Sequence, residues 1–183
     1  MSFKVFTKPR EAFEEAIDKP NMAIALLIVI VTGVLIGIAS YAYTASPVAI
    51  ITAVLVMAVQ WLIMSFLLWA FEFMFRSKKK GFKEKSFAEA ASAAGTLWMV
   101  VLAAAVVFNV AMLSFMAGLV ILSAVFVIII IGLFVLFMLA SYSMVKVVLE
   151  AERGRAIVAW LLLMVLAALI WAVAQLAWAR IFG

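Results

Sequence analysis

Long apolar stretches alternate with short charged ones along the whole chain. Each apolar stretch has the roughly twenty residues that a helix needs to cross the hydrocarbon core of a bilayer. Five stretches qualify, at about 22–44, 48–75, 87–113, 117–145 and 156–179. The pattern therefore predicts an all-α, polytopic transmembrane helix bundle with five spans, preceded by residues 1–21 as a separate charged segment.

The boundary between the third and fourth spans is the least marked. No charge occurs from Leu97 to Val145, and this run is too long for a single helix across the bilayer. We place a short outer turn near Ser114–Gly118. The following boundary is clearer, because Lys146–Arg155 is charged and contains Gly154, which we interpret as a helix breaker.

Residues 1–21 carry an amphipathic pattern. Pro9 suits the first turn of a helix, and the apolar residues after it recur on one helical face against a face rich in carboxylates. That apolar face consists of Ala12, Phe13, Ala16 and Ile17. We predict an interfacial helix lying along the cytoplasmic surface, with a loose tail as the alternative.

Composition supports a single membrane domain. Apolar residues make up 70% of the 183-residue chain and the mean hydropathy is +1.34, whereas soluble domains are about 45–50% apolar. The chain has no cysteine and no histidine. Disulfides, thiol chemistry and histidine metal sites are therefore excluded, and we predict no cofactor.

The distribution of basic residues predicts the orientation. Thirteen of the 14 Lys and Arg side chains lie in segments that five spans place on one side, and Arg180 alone lies on the other. The positive-inside rule then puts the N-terminus in the cytoplasm and the C-terminus outside. The membrane is the cell membrane if the source is prokaryotic, and a Golgi- or ER-type membrane if it is eukaryotic.

The central connection is the most basic part of the chain. We predict that its six basic side chains contact anionic lipid headgroups, each contributing roughly 1 kcal/mol near the surface. They are Arg76, Lys78, Lys79, Lys80, Lys83 and Lys85. Nucleic acid is not a predicted partner, because the net charge of +5 comes from residues next to the membrane.

Two carboxylates flank this connection, and each has a structural and a functional interpretation. Glu72 lies four residues before Arg76, which suits an ion pair within a helix. Glu89 completes a Ser86-x-x-Glu89 capping box. The functional alternative is that Glu72 and Glu89 meet and form a site for a cation or a lipid headgroup.

The predicted spans contain few polar groups that could carry chemistry. Gln60, Asn109 and Gln175 are expected to form hydrogen bonds between helices, with a solute pathway as the alternative. Gly33 and Gly37 form a GxxxG pair, which lets another helix approach closely.

Several activities are disfavoured by what the spans lack. Proton pumps and ion carriers usually have an ionisable group near the membrane midplane, and none occurs here. Hydrolysis within the membrane needs an activated nucleophile, and Ser141-Tyr142-Ser143 has no evident base nearby. No glycine-rich phosphate-binding loop is present either. We therefore predict that the protein is not an enzyme.

Three motifs give the chain a resemblance to the Yip1-domain family of polytopic membrane proteins. Pro9–Glu15, followed by Lys19-Pro20, is similar to the P-x-x-x-F…P segment before the first span. Gly81–Phe87 resembles the glycine and Ser-Phe that precede the third span. Gly154-Arg155-Ala156 resembles the opening of the last span.

The resemblance implies five helices, a cytoplasmic N-terminus and no catalytic activity. Eukaryotic members are linked to vesicle trafficking and to prenylated Rab-type GTPases through a longer N-terminal region. Here only about twenty residues precede the first span, which makes a GTPase partner doubtful and suits a minimal prokaryotic member.

Two functions are compatible with these features. The first is a non-enzymatic membrane-organising or trafficking-type adaptor that uses its basic cytoplasmic face to engage lipid or another membrane protein. The alternative is a small transporter or ion channel with a pathway lined by Glu72, Glu89, Gln60 and Asn109. Either could be a homo-oligomer.

The orientation can be checked by single-cysteine labelling, since the chain has no cysteine of its own. In intact cells or sealed vesicles, we expect Lys80→Cys and Arg180→Cys to react with an impermeant maleimide from opposite sides of the membrane. Labelling of both positions from the same side would contradict the five-span topology.

Overall fold

The computed structural model describes residues 3–75 and 84–182, with the backbone only for 43–44, 171 and 174–182. A 3₁₀ turn at Phe3–Phe6 precedes six helices, which are α1 Pro9–Asp18, α2 Met22–Thr44, α3 Val48–Phe75, α4 Phe87–Met116, α5 Val120–Val148 and α6 Arg153–Phe182. The helices α2 to α6 are long and apolar enough to cross a membrane. The predicted all-α bundle of five spans is confirmed.

The turn between α4 and α5 lies later than predicted. Helix α4 continues to Met116, beyond the expected end at Leu113, and α5 begins at Val120 instead of Ala117. Gly118 sets this boundary, because its φ of +77° ends the helix in a Schellman motif. The backbone N–H of Leu119 donates to the carbonyl of Ser114 at 2.9 Å.

The charged connection after α5 is shorter than predicted. Helix α5 continues past Val145 to Val148, and α6 begins at Arg153 instead of Ala156. Glu150 makes the break, with a left-handed φ of 45°. Gly154, which we expected to be the breaker, lies in the first turn of α6.

The first half of α4 forms the centre of the bundle. Every residue from Ala90 to Val100 is buried, and α4 contacts α1, α2, α3 and α5. Helix α6 packs on α3 and α5 at the edge. The buried stretch begins with small residues, Ala90 to Gly95, which let several helix backbones approach the same turn of α4.

The GxxxG pair of α2 faces α3. A Cβ atom added at Gly33 would lie 2.6 Å from the Cα atom of Val54, and one added at Gly37 would lie 2.5 Å from the Cα atom of Ile50. These distances are too short for carbon atoms that are not bonded. The partner of the GxxxG face is therefore the next helix in the same chain, which closes the α2–α3 hairpin tightly.

The N-terminal segment forms the predicted helix, and its apolar face packs on the protein. Ala12, Phe13, Ala16 and Ile17 are all buried, and α1 contacts α4 and α5. We expected this face to lie along the membrane surface. The bundle provides the apolar contact instead, and α1 presents only its charged face to solvent.

The close α2–α3 contact leads to a prediction about stability. We expect Gly33→Ala and Gly37→Ala each to destabilise the protein by about 1–3 kcal/mol, because the new methyl group meets backbone atoms. Unfolding in detergent would measure the loss. Gly132→Ala is the control, since a Cβ at Gly132 meets nothing within 4 Å. Equal effects at all three positions would contradict the tight crossing.

Candidate functional site

Segments that are distant in the sequence meet at one end of the bundle. The Lys85 Nζ atom lies 3.0 Å from the Glu150 Oε1 atom and joins the start of α4 to the α5–α6 connection. The backbone N–H of Asn21 donates to the Ser92 hydroxyl at 2.8 Å, which ties the α1–α2 connection to α4. We call this the charged end, and the positive-inside rule assigns it to the cytoplasm.

A cleft of about 600 Å³ opens at the charged end between α1 and α5. Its charged lining comes from α1, from the segment just before α4, from the last turn of α5 and from the α5–α6 connection. The lining residues are Arg10, Glu14, Ile17, Asp18, Lys85, Tyr142, Ser143, Lys146, Val147, Glu150 and Ala151. The cleft has a volume typical of small-ligand sites, which range over roughly 300–1,000 Å³.

Four of the six charges in the cleft form ion pairs with one another. The Arg10 Nε atom lies 2.8 Å from the Glu14 Oε1 atom, and Lys85 pairs with Glu150. Lys146 and Asp18 are exposed and, within the described part of the chain, have no ion-pair partner. The cleft is therefore neutral in sum and has one available charge of each sign.

Two helices have their C-terminal ends beside this cleft. Helix α1 ends at Asp18 and α5 ends at Val148, and a helix C-terminus carries about half an elementary negative charge. Asp18 is thus a carboxylate at the negative end of its own helix, whose last turn contains no basic residue.

The exposed face of α1 carries further ion pairs outside the cleft. The pKa of Glu11 is lowered, first because the Lys8 ammonium donates a hydrogen bond to its carboxylate and then through the charges of Lys8 and Lys4. The Lys8 and Glu11 side chains are 2.9 Å apart. Glu11 therefore remains charged at a lower pH than an isolated glutamate.

Neither Glu72 nor Glu89 lines the cleft. Glu72 is completely buried in the last turn of α3. Glu89 caps α4: its N–H donates to the Ser86 hydroxyl at 3.3 Å, and its carboxylate accepts from the Ser86 N–H. A joint site of Glu72 and Glu89 for a cation or a headgroup remains a prediction.

The polar residues predicted within the spans have different surroundings. The Asn109 amide donates to the carbonyl of Leu35 in α2 at 3.0 Å and to that of Ala105 at 2.8 Å. It therefore links α4 to α2. Gln60 is half-buried in α3. Gln175 belongs to α6, and its side chain lies outside the described residues.

Most of the basic central connection also lies outside the described residues. This applies to Arg76, Lys78, Lys79, Lys80 and Lys83. Lys85 is described, and its side chain is only 12% exposed. It lines the cleft and pairs with Glu150, and its predicted contact with anionic lipid, like that of the other five, remains a prediction.

Of the residues that line the cleft, the sequence had marked only Lys85, in the central connection, as part of a candidate site. Asp18 was treated only as a charge of the N-terminal segment, and Lys146 and Glu150 only as charges of the connection after the fourth span. Tyr142 and Ser143 were considered only as a possible nucleophile motif. A usable signal was present, because five spans place all three segments on one side of the membrane, where they can meet.

Comparison with protein-family models, curated proteins and solved structures finds no match. The resemblance to the Yip1-domain family therefore remains a prediction from sequence motifs. The structure places two of these motifs at helix beginnings, with Pro9–Glu15 in α1 and Gly154-Arg155-Ala156 at the start of α6.

The cleft exists only while α1 is docked, and this can be tested at Phe13, which is 0% exposed. We expect Phe13→Ala to weaken the packing of α1 on the bundle by about 3–5 kcal/mol. Trypsin cleavage of the folded protein after Arg10 should then become at least about tenfold faster. The matched control is Phe3→Ala, because Phe3 is 80% exposed. Equal cleavage rates in both variants would contradict the docking.

Proposed function

We propose that the protein is a non-enzymatic membrane-organising adaptor that uses its charged end to engage anionic lipid headgroups and membrane partners. The observation that carries this proposal is the docking of α1. Because the bundle buries the apolar face of α1, the helix is held as part of a charged surface at the membrane boundary. A surface of this kind suits recognition rather than transport of a solute through the bundle.

Electrostatics favours anionic lipid as one partner. The net charge is +5, and six basic residues lie within the ten positions 76–85. Basic groups beside a membrane each gain roughly 1 kcal/mol from anionic headgroups, and the attraction acts over about one Debye length. The lysines of this connection follow the end of α3 closely in sequence, so we expect them to lie near the headgroups.

The sequence itself supports a role without catalysis. With no histidine and no cysteine in the chain, the usual proton carrier and the most nucleophilic side chain are both missing. The adaptor proposal also agrees with the resemblance to the Yip1-domain family. It does not require a GTPase partner.

Transport is the weaker proposal, because two of the four residues predicted to line a pathway have structural roles. Both amide protons of Asn109 are donated to backbone carbonyls. The carboxylate of Glu89 caps α4. The amide donors of Asn109 and one carboxylate oxygen of Glu89 are therefore already used in contacts that hold the helices.

Lipid preference tests the adaptor proposal directly. The full chain is purified, and its retention of anionic and zwitterionic lipids with identical acyl chains is compared by native mass spectrometry. We expect anionic lipid to be preferred. The triple variant Lys78→Gln, Lys79→Gln, Lys80→Gln should reduce the preference about tenfold or more, since each lysine contributes roughly 1 kcal/mol.

Arg180→Gln is the control, because it removes a positive charge that the topology places on the other side of the membrane. It should leave the preference unchanged. Raising the salt concentration from about 0.1 M to about 1 M should weaken the preference by screening the charges. If the unmodified protein retains both lipids equally, the lipid half of the proposal is wrong, and crosslinking in native membranes then tests the protein-partner half.

A further inference from the structure

The cleft at the charged end has charges that suit a zwitterion better than an anion. Its positive and negative side chains cancel, and only Lys146 and Asp18 are not paired with another charge of the lining. The carbonyl ends of α1 and α5 add negative potential. A ligand with several negative charges would therefore meet repulsion, whereas a ligand with one charge of each sign can complement both available groups.

The lining also provides hydrogen-bonding groups for such a ligand. The Lys146 ammonium has three donors, and Tyr142 brings a hydroxyl to the cleft. Asp18 is an acceptor only when ionised. The Tyr142 ring is held edge-on against Trp160, with ring centroids 6.1 Å apart. Lys146 and Tyr142 thus offer donors on the α5 side of the cleft, and Asp18 offers the carboxylate that is not in an ion pair on the α1 side.

The α5 side of the cleft continues into an exposed apolar surface. Starting at Ser143, which lines the cleft, the same face of α5 passes through Leu139, Val135, Ile131 and Ile128. These four side chains are between 53% and 69% exposed. A ligand with a polar head in the cleft and an acyl chain would therefore find apolar surface for the chain along α5.

From these observations we infer that the cleft binds the headgroup of one phospholipid that carries both a phosphate and a primary ammonium, as in phosphatidylethanolamine. Lys146 and Tyr142 bind the phosphate, and Asp18 binds the ammonium. The acyl chains follow the exposed face of α5. This inference goes beyond the proposed function, because a general preference for anionic lipid and one specific zwitterion site can each occur without the other.

The chemistry of the cleft distinguishes a primary from a quaternary ammonium. A primary ammonium donates charge-assisted hydrogen bonds to a carboxylate, and these are roughly twice as strong as neutral ones. A choline group has no N–H to donate and is usually held by several aromatic rings. Tyr142 is the aromatic residue among the lining residues, so the site favours ethanolamine.

Binding of three lipids to the delipidated full chain in detergent tests this inference. Phosphatidylethanolamine, phosphatidylcholine and phosphatidylglycerol with identical acyl chains are titrated, and the bound lipid is counted by native mass spectrometry. We expect a single site with about tenfold tighter binding of phosphatidylethanolamine than of phosphatidylcholine, the difference arising from the hydrogen bonds to Asp18.

Two substitutions separate the roles of the two charges. Asp18→Asn should remove the preference for ethanolamine over choline. Lys146→Gln should weaken the binding of both lipids by a similar factor and leave their ratio unchanged. The controls are Lys19→Gln and Glu152→Gln, which neutralise exposed charges at the same end of the bundle that do not line the cleft. Both controls should behave like the unmodified protein.

Three outcomes would overturn the inference. Equal binding of the ethanolamine and choline lipids would show that Asp18 does not distinguish a primary from a quaternary ammonium. Tightest binding of phosphatidylglycerol, reduced by Lys146→Gln, would assign the cleft to an anionic headgroup. Displacement of the lipid by an equal concentration of free phosphoethanolamine would mean that the occupant is a soluble zwitterion. The Lys78→Gln, Lys79→Gln, Lys80→Gln variant should not change the ethanolamine preference, which keeps this test separate from that of the adaptor.

Discussion

The close packing around the first half of α4 is the contact on which the rest of the structure depends. Lipid chains are as apolar as the side chains of the bundle, so helices in a membrane associate mainly through van der Waals contact and hydrogen bonds rather than the hydrophobic effect. The buried stretch Ala90–Val100 provides that contact on all sides of α4. Trp61 and Asn21 add hydrogen bonds to it, through the Ala91 carbonyl at 3.0 Å and the Ser92 hydroxyl at 2.8 Å.

The charged end is built on this packed centre. Other helices surround the first half of α4. The ends of these helices therefore lie close together near the start of α4. Helix α1 is held by its apolar face on α4 and α5, and the Lys85–Glu150 ion pair joins the segment before α4 to the α5–α6 connection. The cleft is the space left between these elements. Its charges are positioned by helix packing, since a pair such as Arg10–Glu14 at a half-exposed surface contributes at most about 1 kcal/mol.

The two proposals for the protein, attraction of anionic lipid and selection of one headgroup, have different physical causes. Attraction of anionic lipid depends on the number of basic residues near the membrane and not on their fine geometry, so it follows from charge alone. Selection of one headgroup requires two opposite charges held on different helices, so it follows from the docking of α1 beside α5. A protein that organises a membrane can use both. The basic residues attract anionic lipid, and the cleft selects one lipid by its headgroup.

The sequence by itself determined the class of fold and the number of spans, because hydrocarbon leaves a chain few alternatives to helices of a set length. The helical character of α1 followed from Pro9 and the recurring apolar positions after it. It also indicated the capping box at Glu89, whose partners are three residues apart. The tertiary structure decided which surfaces meet. The apolar face of α1 could have lain on lipid or on protein, and only the packing around α4 shows that protein covers it. Asp18 and Lys146 come from segments more than a hundred residues apart, and no local pattern relates such positions. The cleft between them therefore follows from long-range packing.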